Sequence, residues 1–266
     1  MSQTRHAYRP AAWLLGVATL GLATAALADP PVATPDTPSD MHVVAKPAVA
    51  KPAVDKPAVD KPWVRTSSED GITTYKREVP GSPIIALLGE GIVAAPIARV
   101  ASVLLDYSRA SEWIDSLEEV RVIRMLGPLE FIEYDHVGTP PVILKDRDFV
   151  CRGKIELDLQ QQTFTLSMEP TTDPAAPRTS YVRGELRGYW KLKSIDHGRK
   201  TQVTAEMHGD PKGSVAKWLV NFFQKGWPRN TLESLREQVA KRDIKIIPQV
   251  QAAFDGKPLQ FAVKSK

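Results

Sequence analysis

The chain has 266 residues, of which 25% are charged, and its formal net charge is +4. A general nucleic-acid binder would carry a stronger basic surplus, so we expect no nucleic-acid partner. The one cysteine, Cys151, leaves no internal disulfide to rely on, so the stability of the fold has to come from a hydrophobic core.

Residues 1–28 have the pattern of a secretory signal peptide. Two arginines precede an apolar run over residues 11–27, which ends in the small-x-small sequence Ala26-Leu27-Ala28. We therefore predict an exported chain, periplasmic or secreted. The alternative is an uncleaved N-terminal membrane anchor, because the run approaches the ~20 residues that span a bilayer.

Residues 29–62 are predicted to be a linker. This segment is rich in proline, has no Phe, Trp or Tyr, and repeats the motif Lys-Pro-Ala-Val from Lys46, Lys51 and Lys56. Proline favours extended conformations, so the repeat is typical of a polyproline-like spacer of ~3.1 Å per residue. It can serve as a stalk or as a plain flexible tether, and the sequence leaves both open.

The folded part is expected to begin near Trp63. Short turn sequences separate segments of β-branched and aromatic residues, which favours antiparallel strands. The predicted strands are 71–79, 84–94, 120–126, 129–137, 149–159, 163–169, 182–195 and 201–208.

Helical spacing interrupts this series after the second strand region. Pro96 suits the first turn of a helix over residues 97–105, and a short second helix is predicted over residues 108–114 with Trp113 inward. A longer helix is predicted at the C-terminal end, capped by Ser214 and broken near Pro228. Its apolar stripe contains Val215, Trp218, Leu219, Phe222, Leu232, Leu235 and Val239.

Several short motifs resemble the START domain, the lipid-transfer family related to the steroidogenic acute regulatory protein. Each motif is weak alone, but they occur in the family's order between about Trp63 and Lys241. They are Asp70-Gly71-Ile72, Ala95-Pro96, Glu112-Trp113, Pro140-Pro141, Arg147-Asp148-Phe149-Val150, Gly188-Tyr189-Trp190, Asp210-Pro211-Lys212-Gly213 and Trp218-Leu219-Val220-Asn221.

The resemblance implies an α+β helix-grip fold. In this fold a curved antiparallel sheet of eight or nine strands and two short helices are closed by a long C-terminal helix over a lipid cavity. The predicted domain covers residues 63–245, and residues 246–266 are predicted to form a tail. The implied function is to bind one lipid, such as a sterol or phospholipid, and to transfer or sense it in the cell envelope.

The resemblance also implies where the lipid would bind. Arg147 matches the arginine of the family motif, and Glu133 lies near the position of an acidic partner in some members. Some members have a second arginine six residues beyond the first, where this chain has Gly153, and the nearest candidate is Arg152. Alternation places Arg147 and Cys151 on one face of the strand and Arg152 on the other, so the sequence leaves open which arginine faces the cavity.

The predicted last helix would supply the apolar lining. Trp218, Leu219 and Phe222 are the candidates, and the alternative for each is ordinary core packing. Two further alternatives stay open at this point. Arg147 and Asp148 can form a structural ion pair, and Glu133 can simply be solvated on a half-exposed strand.

No catalytic motif accompanies these features. The five histidines lack metal-ligand spacing, and the glycine pattern from Gly89 continues a strand instead of opening a helix. We therefore predict a non-enzymatic protein without cofactor or metal. The alternatives are a helix-grip enzyme, cyclase-like or hydrolase-like, acting on an apolar substrate, and an interaction module with a collapsed cavity.

Basic residues predominate near the predicted last helix. Residues 212–245 contain eight Lys or Arg against three Asp or Glu. Such a surface favours anionic membranes, and the alternative is an ordinary solvated helix face. We expect a monomer.

Overall fold

The computed structural model describes residues 61–139, 145–216, 220–221 and 224–259. The predicted signal peptide and the predicted linker up to residue 60 lie outside these ranges. Both remain predictions, as do the predicted domain bounds.

The described chain is built around one ten-stranded sheet, which agrees with the predicted helix-grip class and adds to the eight or nine strands expected. Neighbouring strands are antiparallel in the order β1-β2-β3-β10-β9-β7-β6-β5-β4, while the short β8 pairs with β6 in parallel. The strands are β1 Val64–Glu69, β2 Ile72–Glu78, β3 Ile85–Val93, β4 Leu117–Gly127, β5 Glu130–Val137, β6 Arg147–Asp158, β7 Thr163–Pro170, β8 Val182–Arg183, β9 Glu185–Ile195 and β10 Lys200–Asp210.

Tight turns with left-handed residues join several strands. Asp70 and Gly71 have φ values of 51° and 68° between β1 and β2. Asp196, His197 and Gly198, with φ values of 53°, 54° and 84°, turn the chain between β9 and β10. Asn, Asp and Gly tolerate this conformation best, which explains the short connections and the antiparallel pairing.

Within the described ranges, three α-helices and one 3-10 helix have complete bounds. They are α1 Ile97–Leu105, the 3-10 helix Tyr107–Glu112, α2 Trp227–Ala240 and α3 Pro248–Phe254. The predicted break near Pro228 is confirmed, because α2 begins at Trp227 with Gly226 as its N-cap and the proline in its first turn.

Helix α2 packs on one face of the sheet, which we call the inner face. Its Leu232 and Leu235 are buried in the main hydrophobic cluster together with Ile72 and Val203 of the sheet. A Cβ atom at residue 89 would lie 3.0 Å from both Leu232 Cδ1 and Pro228 Cβ. The glycines of the predicted strand therefore allow the helix to approach closely and have no role in a nucleotide loop.

Arg99 of α1 joins this helix to the segment that follows α2. Its guanidinium donates hydrogen bonds to the carbonyl oxygens of Val239 at 2.9 Å, Lys241 at 2.7 Å and Ile244 at 2.9 Å. These acceptors include carbonyls at the end of α2 that have no partner within the helix. The contact fixes the end of the gripping helix against α1.

The predicted tail packs against the domain over its described part. Val250 and Ala253 of α3 and Leu259 are buried in the main cluster, and Ser102 Oγ accepts a 2.9 Å hydrogen bond from the backbone of Ile247. This contact was not predicted from the sequence, because α3 has only seven residues. Among the described residues, no helix is both long enough and apolar enough to cross a membrane.

Candidate functional site

The strand register decides which residues of β5 and β6 face inward. Glu133 pairs with Cys151 and Asp135 with Phe149, so these four side chains share one face. Phe131, on the same face of β5, belongs to the main cluster beneath the helices. The residues between them point to the opposite, outer face of the sheet.

Arg152 lies on this outer face. It forms an ion pair with Glu130, and its side chain is 55% exposed. Arg152, which was predicted as a possible cavity residue, is therefore a surface residue, because strand alternation turns it away from the inner face.

Glu133 and Asp135 are buried, with 3% and 7% of their surfaces exposed. The alternative that Glu133 is solvated is therefore wrong. Burial raises the pKa of Glu133 to about 7, although hydrogen bonding with Tyr107 and Asp135 acts in the opposite direction. Burial and the neighbouring Glu133 charge raise the pKa of Asp135 well above its ordinary value.

Tyr107 and Cys151 complete this polar group. Burial, followed by the charge of Glu133, raises the pKa of Tyr107, while burial and the charges of Asp135 and Glu133 raise the pKa of Cys151. Tyr107 Oη and Asp135 Oδ1 are buried without a hydrogen bond of ordinary geometry among the described residues. Glu133 nevertheless lies near enough to Tyr107 to raise the pKa of its hydroxyl group. Composition and spacing gave no signal for Tyr107 or Asp135. We call Glu133, Asp135, Tyr107 and Cys151 the acidic group.

Arg147 is buried at the start of β6, with 5% exposure, and is bound to backbone. Its guanidinium donates to the carbonyl oxygens of Lys145 and Pro211, the latter at 3.3 Å. Burial lowers its pKa, and Asp146 partly offsets the shift. Arg147 thus connects the start of β6 to the turn after β10, while its predicted contact with a lipid stays a prediction.

Asp148 does not pair with Arg147, contrary to the ion-pair alternative. Strand alternation turns it to the outer face, where Arg183 donates bonds of 2.8 and 2.9 Å and Thr179 Oγ donates one of 2.8 Å. Burial raises the pKa of Asp148, but these hydrogen bonds outweigh it and hold the pKa below its ordinary value. The pair holds the connection between β7 and β8 against the outer face.

Trp218, Leu219 and Phe222, the predicted apolar lining, lie outside the described residues. Their neighbours are attached to the sheet at one end of the inner face. Val215 and Val220 form a small buried cluster with Ile84. Asn221 Oδ1 accepts a 3.2 Å hydrogen bond from the backbone of Ile85, and Gln224 donates a 2.9 Å bond to the Gly209 carbonyl.

Tryptophans occupy the middle of the inner face. The rings of Trp113 and Trp190 meet edge to face at 5.9 Å, and Trp190 meets Trp227 at 6.5 Å. Trp113 and Trp190 are 6% and 9% exposed, so Trp113 points inward as predicted and both rings are part of the buried framework.

Beyond these tryptophans the inner face is less completely covered. Phe149, Met168, Leu186 and Met207 are half-buried, although the register places all of them on the same face as Trp190 and Cys151. Half-covered apolar side chains grouped at one end of a sheet face are typical of a site for an apolar ligand. Within the described ranges, no three His, Cys, Asp or Glu side chains are grouped so that they could hold a metal ion.

Comparison with known proteins identifies the family. A model described as the START domain matches residues 48–237. An uncharacterized protein of Pseudomonas aeruginosa is 30% identical over 182 residues, which cover 68% of this chain and 88% of that protein. The mitochondrial steroidogenic acute regulatory protein of Gallus gallus is 26% identical over 149 residues, covering 54% of this chain and 47% of that protein.

Solved structures agree with this assignment. A STAR-related lipid transfer protein fragment from Xanthomonas axonopodis has a TM-score of 0.60 and 27% identity, covering 67% of this chain and 99% of the fragment. Human STARD10 has a TM-score of 0.62 at 18% identity, covers 74% of this chain and 78% of its own, and supports the fold alone. The chain belongs to the START domain family.

Proposed function

We propose that this chain binds one lipid or similarly apolar molecule on the inner face of its sheet, without transforming it. The observation that carries the proposal is the half-buried apolar end of that face, formed by Phe149, Met168, Leu186 and Met207. The solved relative from Xanthomonas axonopodis is described as a lipid transfer protein, which supports the same function.

The physical basis is the burial of apolar surface. A lipid tail placed against these side chains would remove apolar area from water on both partners, at ~25 cal/mol per Å². The nearby acidic group adds a few polar atoms that fix the orientation of the ligand. A site with an apolar wall and one polar end is suited to an amphiphile.

The proposal extends to the place where the protein works. The signal-peptide pattern of residues 1–28 supports export, and the proline-rich repeat supports a domain held at a distance from a membrane or wall. In this setting the protein would transfer or sense a lipid in the cell envelope as a monomer. The proposal requires neither a cofactor nor a nucleic-acid partner.

Extraction of the purified full-length chain with organic solvent, followed by mass spectrometry, tests the function. We expect an intact lipid to co-purify with the protein. A matched pair of variants locates it: Leu186→Trp fills the half-buried end of the inner face, whereas Leu159→Trp adds the same ring at an exposed position. Leu186→Trp should lose the lipid and Leu159→Trp should retain it. Retention by both would contradict binding at this face.

A helix-grip enzyme is the second candidate, because burial gives Glu133 a pKa of about 7, which suits a general acid or base. The same extraction separates the two candidates. An unchanged cellular lipid supports binding, whereas a chemically altered product that disappears in Glu133→Gln supports catalysis. An extract without any ligand from the wild-type chain would favour an interaction module.

A further inference from the structure

The acidic group has no basic partner. Glu133 and Asp135 lie two residues apart on one strand face, and their pKa values respond to burial, to Tyr107 and to each other. The nearest arginine along this face, Arg147, is bound to the carbonyl oxygens of Lys145 and Pro211. Among the described residues, neither carboxyl group forms an ion pair with Lys or Arg.

Two buried atoms in this group lack a hydrogen bond of ordinary geometry within the described chain. They are Oδ1 of Asp135, which is 7% exposed, and Oη of Tyr107, whose nearby polar group is the Glu133 carboxyl. Leaving a buried polar atom unpaired costs free energy, because its hydrogen bonds to water are lost and not replaced. Such atoms in the interior of a ligand-binding fold are therefore the places where a bound molecule would supply the missing hydrogen bonds.

The surroundings of the group are otherwise apolar. Across β4, Val122 faces Glu133 and Val120 faces Asp135. On β6 the facing residues are Cys151 and Phe149, and Tyr107 packs edge to face on Phe131 at 6.3 Å. The titratable groups that face the two carboxyls are thus Tyr107 and Cys151, and neither carries a positive charge.

This chemistry distinguishes between polar groups of lipids. Once the acidic pair has lost a proton, a carboxylate or phosphate would place a second negative charge beside it in a medium of low dielectric constant, where like charges repel strongly. A hydroxyl or an ammonium group would donate hydrogen bonds to the carboxyl oxygens instead, and bonds to a charged acceptor are the stronger kind.

We propose that the acidic group selects ligands whose polar end donates hydrogen bonds, as an alcohol or a protonated amine does, and rejects ligands that end in a carboxylate or phosphate. This inference rests on the proposed lipid-binding function and names the ligand class for it. It assigns to Glu133 and Asp135 the specificity that the family resemblance places on an arginine.

Four amphiphiles with the same tail test the inference. Dodecanol, dodecylamine, laurate and dodecyl phosphate are titrated against the full-length chain carrying the apolar dye Nile red, below the concentration at which each forms micelles. At pH 8, where Glu133 has lost its proton, dodecanol or dodecylamine should displace the dye at an at least tenfold lower concentration than the two anions, and tenfold corresponds to about 1.4 kcal/mol.

Variants show that the acidic group causes the selection. Glu133→Gln combined with Asp135→Asn should reduce the discrimination against laurate to less than threefold. Glu130→Gln is the matched control, because Glu130 pairs with Arg152 on the outer face, and it should leave the ranking unchanged. The wild-type ranking remains informative if the double variant does not fold.

The pH dependence separates the two donor classes. Dodecylamine stays protonated from pH 5.5 to pH 8, so its affinity should rise as the acidic pair loses protons, whereas that of dodecanol should not rise. Failure of Nile red and all four amphiphiles to bind would overturn the proposed function. Normal dye binding with equal displacement by all four, or with preference for the anions, would overturn this inference alone.

Discussion

Phe131 occupies the space above Gly153: a Cβ atom at residue 153 would lie 2.4 Å from Phe131 Cε2. The aromatic ring thus fills the space that a side chain at residue 153 would take, and Gly153 itself brings no charge near Glu133. The glycine therefore lets Phe131 pack closely on the strand beside the acidic group.

This contact predicts that Gly153→Ala destabilises the fold. The added methyl group overlaps a ring packed in the main cluster, so we expect a loss of about 2 kcal/mol in the free energy of unfolding, which is typical of overpacking. Chemical denaturation measures it. Gly127→Ala is the control, since a Cβ there would meet nothing within 4 Å.

Coupling with Phe131 checks the cause. Gly153→Ala combined with Phe131→Leu should cost less than the sum of the two single changes, because the smaller side chain leaves room for the methyl group. Strictly additive losses would show that the ring does not cause the destabilisation.

The sequence predicted the elements with strong local patterns and missed those without them. Helix α1 and the break before α2 follow from Pro96, Gly226 and Pro228, whose backbone preferences act locally. Strand β1 was missed because its Val-Arg-Thr-Ser-Ser-Glu sequence is polar and almost entirely exposed. It exists because it pairs with β2.

The site was less predictable than the fold. Strand alternation could say that Arg147 and Arg152 face opposite ways but not which face is inside, since that depends on where α2 packs. Tyr107 and Asp135 join Glu133 through the position of the 3-10 helix and the register of β5. No spacing in the sequence encodes either of these.

Arg183 is predicted to be necessary for the stability of the fold, because it pairs with the buried Asp148. Asp148 is 1% exposed and depends on this arginine for two of its hydrogen bonds. Arg183→Ala leaves a buried carboxylate without its counter-charge, which costs about 3 kcal/mol. Arg187→Ala, which breaks an exposed pair with Glu169, should change the free energy of unfolding little.

The loss caused by Arg183→Ala should depend on pH. The folded-state pKa of Asp148 is lowered, so the pair contributes stability above the ordinary pKa of an aspartate and loses it as pH falls through the folded value. The difference between the wild type and Arg183→Ala should therefore shrink in acid. A difference that stays constant down to low pH would contradict a role for the ionised carboxylate.

Binding to anionic membranes is predicted to depend on a few basic residues. Several of the basic residues expected from the sequence serve the fold: Arg229 pairs with Glu69, and Lys241 pairs with Glu112. Lys225, Arg242 and Lys245 are exposed, and each can add about 1 kcal/mol near an anionic surface.

Co-sedimentation with phosphatidylglycerol vesicles measures this contribution. Replacing Lys225, Arg242 and Lys245 by Gln should lower binding at least tenfold at low salt, with little difference at high salt because the interaction is then screened. Replacing Arg178, Lys191 and Lys193 on the outer side removes the same charge and should have a smaller effect. Equal losses in both variants would show that net charge, not this surface, governs binding.

Glu133 is predicted to make the folded protein less stable as pH rises. Burial raises its pKa from 4.5 to about 7, so the folded state binds more protons than the unfolded state between these values. The stability associated with its protonated form is fully present below pH 4.5 and is lost as pH rises through 7. Glu133→Gln removes this titration and should exceed the wild type by about 3 kcal/mol at pH 8, while the two should be similar at pH 4.5. Urea denaturation across this range measures the difference, with Glu130→Gln as the exposed control. Parallel stability curves for wild type and Glu133→Gln would mean that Glu133 reaches water in the folded state, and the acidic group would then lose its main source of selectivity.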